Sequence, residues 1–285
     1  MTRASFEAGS QLYSSYTKIL GTLVLQICST RSVVQTAFAT TIACLHAMDP
    51  PPAIEQAPPA PTNKVIALFG ATGNTGKKFL PAALEAGYYV KALLRNPAKV
   101  ELEDEKLTKV KGDLGNEADI GSLIEGADIV VCLANVPTGT KKGSSMDGWM
   151  PKVMNTIIQK MKENKVRRLL FQVGGFTRLQ GEDPVPCCIK CLIQDCFLGW
   201  YLGEALILKE NQIIADILQG ESSNIDWTLA RPGMLTDGAS KGVVESTYDG
   251  ADGTVDFTDL AKWEVQLLSQ DDTIHRAPYP GYSKK

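Results

Sequence analysis

From residue 64 onward, short apolar runs alternate with longer stretches whose apolar residues recur every three or four positions. Lys64 to Phe69 reads as a buried strand, and Asn74 to Ala86 places Phe79, Leu80, Ala83 and Leu84 at helical spacing before Gly87 closes the helix. Tyr88 to Leu94 and Leu107 to Lys111 give a second and a third strand, with a helix from Asn116 to Glu125 after them. Asp128 to Ala134 is almost continuously apolar, as expected of a strand covered on both faces. An amphipathic helix over Trp149 to Asn164, with Val153, Ile157, Ile158 and Met161 on one side, leads to a fifth strand from Arg167 to Val173. A helical insert occupies about 180–220, and Asp226 to Arg231 forms a sixth strand. The segment from Val255 to Ala261 begins as a strand and passes into a last helix ending near Leu268, with Thr258 or Asp259 as its cap. Strands alternating with helices in this way predict an α/β fold: a single Rossmann-like, doubly wound parallel sheet with helices on both faces.

The first strand and helix are joined by Gly70-Ala71-Thr72-Gly73-Asn74-Thr75-Gly76. Glycine lets the chain turn sharply and lets a phosphate approach the backbone, while a helix start offers unpaired N–H groups and the positive end of its dipole. The pattern suits a pyrophosphate, although a plain strand-turn-helix would also satisfy it. The second strand ends at Arg95-Asn96-Pro97-Ala98-Lys99, where NAD-binding sheets carry an acid for the ribose hydroxyls and NADP-binding ones carry a cation. Arg95 and Lys99 therefore point to NADPH, the alternative being a solvated basic turn. Asp113, at the end of the third strand, could bond an adenine amino group under cover of Leu114, or could cap the following helix. Asn135 and Val136 end the fourth strand, and Pro232 and Gly233 the sixth, so both pairs are expected beneath the nicotinamide.

Composition narrows the partners. The chain has 285 residues, is 44% hydrophobic and 21% charged, and carries a net charge of −3 with both signs interspersed. Such a surface has no single-sign field for gripping nucleic acid or anionic lipid. Residues 1–62 differ from the rest: they are Ser/Thr-rich and acid-poor, and they end in a Pro/Ala-rich stretch from Pro50 to Pro61. They read as a transit peptide for a plastid or mitochondrion followed by a linker, with residues 63–285 as the folded domain. The competing readings are a leader without function, leaving the protein cytoplasmic, and a weak membrane anchor. The apolar runs there fall short of the roughly 20 residues of a stable span. Seven cysteines lie at 28, 44, 132, 187, 188, 191 and 196. Cys188 and Cys191 have redox or zinc spacing, but no second pair matches it, and no metal site is assigned. Cysteines packed as small hydrophobes are the simpler reading.

Taken together, KVIALFGATGNTG (64–76), AGYYVKALLRNPAKV (86–100), KGDL (111–114), DWTLARPG (226–233) and the tail DDTIHRAPYPGY (271–282) resemble the NmrA-like atypical short-chain dehydrogenases, and within them the biliverdin-IXβ reductase/flavin reductase family. The resemblance implies an NADPH-bound monomer that reduces flavins, biliverdin isomers or quinone-like acceptors. Two departures matter. The family usually carries a serine where Gly174 or Gly175 stands, and the Tyr-x-x-x-Lys pair common in short-chain dehydrogenases is missing, since Tyr201 is followed four residues later by Ala205. No catalytic side chain can then be assigned, and reduction of an ordinary ketone, which needs a proton donor at oxygen, is disfavoured. A conjugated acceptor such as a flavin, quinone or linear tetrapyrrole spreads the incoming charge and can take its proton from water. Gly174, Phe176 and Met234 are expected to line its pocket. The alternative is a noncatalytic module that binds NADP(H) and reports redox state to a partner protein.

Overall fold

The computed structural model describes residues 63–136, 144–183, 204–250 and 253–282, all of them within the unit Pro58–Lys285. In chain order the main elements are β1 (Val65–Phe69), α1 (Asn74–Glu85), β2 (Tyr89–Leu94), β3 (Leu107–Lys111), α2 (Glu117–Ile124), β4 (Ile129–Cys132), α3 (Trp149–Glu163), β5 (Arg168–Gln172), α4 (Glu204–Gly220) and β6 (Asp226–Ala230). Short strands β7 (Met234–Thr236), β8 (Val244–Thr247) and β9 (Thr254–Asp256), helix α5 (Phe257–Leu267) and strand β10 (Tyr279–Tyr282) complete the chain. The leader, the 184–203 part of the insert and every cysteine except Cys132 lie outside the described residues. None of the described helices is long and apolar enough to cross a membrane.

The central sheet has six strands in the order β3-β2-β1-β4-β5-β6, every neighbouring pair parallel. Its strands are apolar throughout because both faces are covered, and successive residues go to opposite layers. Ile66 and Leu68 of β1, with Ile129 and Val131 of β4, join the core under α1 and α5. Ala67 and Phe69, with Val130 and Cys132, join the core under α2, α3 and α4. The chain leaves β1 toward β2 on one side and returns to β4 on the other, so the carboxyl ends of β1 and β4 part and leave a crevice at the reversal of strand order.

Several boundaries and caps differ from the sequence expectation. β4 ends at Cys132 rather than Ala134, because Leu133 gives its last ladder bond to Phe69 and the chain then bends beneath Gly70. Asn116 caps α2, its side chain accepting from Ala118 N–H; Asp113 turns back on Gly115 instead, and is not the cap. The cap of α5 is Asp256, which accepts from Thr258 N–H at 2.7 Å, rather than Thr258 or Asp259. Asp259 is taken by the Tyr282 hydroxyl and by Lys241 N–H.

The tail is structural. His275 N–H, Leu229 N–H and Arg231 N–H exchange bonds with β6 and residues 276–278, so the tail protects what would otherwise be the open edge of the sheet. β10 then pairs antiparallel with β8. Arg231, at 1% exposure, holds this arrangement: it donates to Ala277 C=O and Thr177 C=O, forms a forked ion pair with Glu182 at 2.7 and 2.9 Å, and lies over the Tyr279 ring.

Candidate functional site

A cleft of about 830 Å³ opens where β1 and β4 part, in the size range of small-molecule and cofactor sites. Its floor is the turn after β1. Gly70 has φ +87°, which an L-residue rarely adopts, and a Cβ there would lie 2.6 Å from Ala134 N. Gly73 N–H closes the turn on Gly70 C=O at 3.0 Å, and α1 begins at Asn74 with no side-chain cap and no acid in its first turn. Its leading N–H groups are thus left for another acceptor, at the positive end of the helix dipole.

Gly70, Thr72, Gly73, Arg95, Lys99, Asp113, Leu114 and Asn135 all line this cleft, joined by Asn96, Gly112, Met146 and Trp149. Arg95 and Lys99 are exposed, and among the described residues neither has an ion-pair partner. Asn96 shapes that corner by accepting from Ala98 N–H at the start of the short turn Pro97–Lys99, which ends at Lys99 in the lining of the same cleft. No carboxylate stands at the end of β2. Asp113 accepts from Gly115 N–H through Oδ1, and its own N–H is held by Asp119 at 2.8 Å. The far wall is Met146 and Trp149, at the start of α3, with the indole nitrogen 3.8 Å from where a Cβ of Gly115 would stand.

A family model for NAD(P)H-binding proteins matches residues 70–271. The chain belongs to this NAD(P)H-binding family. Solved structures of the same fold include the oxidoreductase YlbE of Lactococcus lactis, at 19% identity over 78% of this chain and 92% of that one, with TM-score 0.58. A wide-type short-chain dehydrogenase/reductase of Veillonella parvula, solved with NADP, is 17% identical over 78% and 95%, with TM-score 0.57. ChuY, an anaerobilin reductase of Escherichia coli O157:H7, is 16% identical over 78% and 100%, with TM-score 0.58. These likenesses establish the fold, and the family match agrees with the resemblance carried by the sequence motifs.

In this NAD(P)H-binding chain, the remaining sequence-expected residues are absent from the lining of the cleft. Asn74, Thr75 and Gly76 form the first turn of α1 but do not line the cleft; Thr75 is buried, and Gly76 is where α1 packs onto the backbone of Gly70 and Ala71. Val136 is buried in the core, its N–H spent on Asn135 Oδ1 at 2.9 Å. Pro232 is buried beside the tail, Gly233 follows it, and neither lines the cleft. Gly174 sits at the carboxyl end of β5, Phe176 is exposed, and Met234 is 71% exposed; none of the three lines the cleft. Tyr201 lies outside the described residues.

Two residues overlooked in the sequence connect α4 to this end of the sheet. Glu210 reaches back to accept from Gly148 and Met150 N–H, capping α3 from a distance. Burial pushes its carboxyl above the ordinary range, against the pull of those amides. Asn211, 1% exposed, accepts from Asn135 Nδ2 at 3.0 Å. Their signal was the placement of two polar residues on the stripe of α4 that also carries Leu206, Ile214, Ala215 and Leu218. Cys132 is not a reactive thiol: burial pushes it up to about 12, and it serves as a packing residue.

Proposed function

We propose that the protein is an NADPH-dependent reductase that delivers a hydride to a conjugated acceptor such as a flavin, a quinone or a linear tetrapyrrole. The observation that carries this reading is the cleft itself, with a glycine cradle at one end of β1 and, at the neighbouring end of β2, two cations, Arg95 and Lys99, that have no ion-pair partner among the described residues. The residues fit a dinucleotide phosphate. A side chain at position 70 would strike the backbone of Leu133 and Ala134 and push the turn away from the end of β4, and the start of α1 is free of acids that would repel a phosphate. Arg95 and Lys99 would hold the 2′-phosphate, Asp113 and Leu114 the adenine, and Asn135 the end nearest the reaction.

When bound there, reduced nicotinamide supplies a hydride. The protein's share is to bind, orient and shield. Asn135, locked by its bond to Val136 N–H, fixes the floor beneath the reacting end. Gly174 offers no hydroxyl, so the acceptor must be one whose charge after hydride transfer is spread over a ring system. The Veillonella relative was solved with NADP and ChuY is a reductase, and both support extending the same chemistry to this chain.

Residues 1–62 serve, on this reading, to direct the domain to a plastid or mitochondrion, and the domain acts as a monomer. A reporter fused to these residues should leave the cytosol, and light scattering should give the mass of one chain. The function is tested by steady-state NADPH oxidation against a panel of flavins, quinones and aliphatic ketones. Oxidation with FMN or a quinone and none with a simple ketone supports it. No oxidation with any acceptor, despite tight NADPH binding, favours the noncatalytic redox-reporting module.

A further inference from the structure

The amide of Asn211 is orientated by a chain of hydrogen bonds that leaves one donor unused. Val136 N–H donates to Asn135 Oδ1, so the other end of the Asn135 amide must be its NH₂. That NH₂ donates to Asn211 Oδ1 at 3.0 Å, which in turn fixes Asn211 Nδ2 on the opposite side. The assignment follows from the network, starting at a backbone N–H whose polarity is certain. Among the described residues, Asn211 Nδ2 donates to nothing, although the residue is only 1% exposed. It is aimed at Gly174: a Cβ built there would lie 3.7 Å from Asn211 Nδ2 and 3.4 Å from Leu208 Cδ2. A nearly buried donor thus faces Gly174 at the carboxyl end of β5, and its partner Asn135 lines the cofactor cleft.

We propose that Asn211 is a catalytic residue: its Nδ2 donates a hydrogen bond to a carbonyl oxygen of the acceptor, seated against Gly174, where a larger side chain would stand in its way. This rests on the reductase reading above. Such an oxygen stands within the 2.7–3.2 Å or so of an N–H···O bond from Asn211 Nδ2, and a Cβ at position 174, itself 3.7 Å from that nitrogen, would crowd it. The acceptor gains the hydride of the reduced nicotinamide and becomes an oxyanion, the nicotinamide leaves oxidised, and water supplies the proton that completes the hydroquinone. An amide cannot give up that proton, but a donor held in place beforehand stabilises the oxyanion as it forms. The role also accounts for two polar residues, Asn135 and Asn211, being coupled where an apolar pair would pack as well. It restricts the substrate class to acceptors with a ring carbonyl conjugated to the hydride-accepting centre, as in quinones and flavins.

The test uses the full chain with 2-methyl-1,4-naphthoquinone, NADPH and the variants Asn211→Leu, Asn211→Asp and Gly174→Ala. Gly174→Ala brings only ordinary to slightly tight contacts and should fold, which guards against a result that merely reports misfolding. Infrared spectra of the ¹³C=O-labelled quinone bound in the presence of NADP⁺ should show one carbonyl band lowered by a hydrogen bond in the wild type, and restored in all three variants. Single-turnover hydride transfer should slow by about 100-fold, the scale of losing one oxyanion donor, with the Kd for NADPH unchanged. Wild-type turnover accompanied by variants of equal rate and unmoved carbonyl band overturns the role of Asn211 and leaves the reductase reading standing. A wild type that neither binds the quinone nor oxidises NADPH with it or any other acceptor overturns both.

Discussion

Gly76 packs against the backbone of Gly70 so closely that any Cβ at position 76 would run into the Gly70 carbonyl oxygen and lie 2.8 Å from Ala71 Cα. The contact joins the last glycine of the turn to the first, and sets how close α1 stands to the end of β1. Gly76→Ala should therefore push α1 off the turn, at a cost of about 1–3 kcal/mol for overpacking, and weaken cofactor binding together with stability. Gly73→Ala is the contrast: the residue has φ −71° and its Cβ would meet only Gly70 O, at 3.3 Å. Thermal melts and NADPH titration of the two variants check this, and equal melting temperatures would refute the packing role of Gly76.

Cofactor preference should follow Arg95. Its guanidinium is exposed and, among the described residues, has no ion-pair partner, so its removal leaves nothing unpaired in the protein. Arg95→Ala should weaken NADPH binding by about 1.5–3 kcal/mol, the range for a hydrogen bond to a charged group, and leave NADH nearly unchanged. Isothermal titration with both cofactors measures the difference, and equal losses would remove the assignment of Arg95 to the 2′-phosphate.

The sheet was legible in the sequence because its strands are buried on both faces: KVIALF and DIVVCLA have no polar interruption to obscure them. The glycine turn and Arg95 were legible because each stands at a strand end fixed by that pattern. What was not legible depended on distant partners. Glu210 and Asn211 stand on the apolar stripe of α4, but what they bond becomes plain only when α4 is laid against Gly148 and Asn135, some sixty to eighty positions earlier. Strands β7, β8 and β10 are three or four residues long, too short for periodicity to register, and exist through pairing with β9 or with one another. Arg231 reads simply as the last residue of the sixth strand, whereas its side chain is spent on Glu182 and the tail. The same local motif can serve ligand or core, and only tertiary contacts decide between them.

Stability should fall as pH rises because of Glu264. This α5 residue is fully buried, and among the described residues neither carboxylate oxygen has a hydrogen-bond partner; burial raises its pKa well above the ordinary carboxyl value. Between the unfolded and folded pKa values, the native state keeps a proton that the unfolded chain has lost, so unfolding becomes easier as pH increases through that window. Glu264→Met should raise the unfolding free energy at neutral pH by about 1–3 kcal/mol through relieved desolvation, seen as a higher melting temperature, and flatten the pH curve relative to wild type. Glu210 shifts in the same direction, so the difference between variant and wild type, not the slope alone, is the quantity to read. A destabilised Glu264→Met with unchanged pH dependence would contradict this account.

The ion pair of Arg231 and Glu182 acts in the opposite pH direction. Burial alone would raise the Glu182 carboxyl, but the bonds from Arg231 and from Leu179 N–H outweigh it and the net shift is downward. Its contribution is present at neutral pH and lost as pH falls through that depressed value. Glu182→Gln should cost about 2–3 kcal/mol, at or below the low end of the 3–5 for breaking a buried pair, because the carboxylate side is partly exposed. The loosened tail should then show faster amide exchange at Leu229 and Arg231. Protection equal to wild type at both amides would refute the role of the pair as the tail's anchor.

The central claim, that this cleft holds NADPH for direct hydride delivery to a conjugated acceptor, is tested most directly by a kinetic isotope effect. Single-turnover oxidation of NADPH deuterated at C4 of the nicotinamide, on one face and then on the other, is followed with excess FMN or 2-methyl-1,4-naphthoquinone. The account predicts a clearly slower reaction for one face only, since a fixed cofactor presents a single hydrogen to the acceptor. Equal rates for both deuterated forms and for unlabelled NADPH, or no oxidation at all, would contradict it.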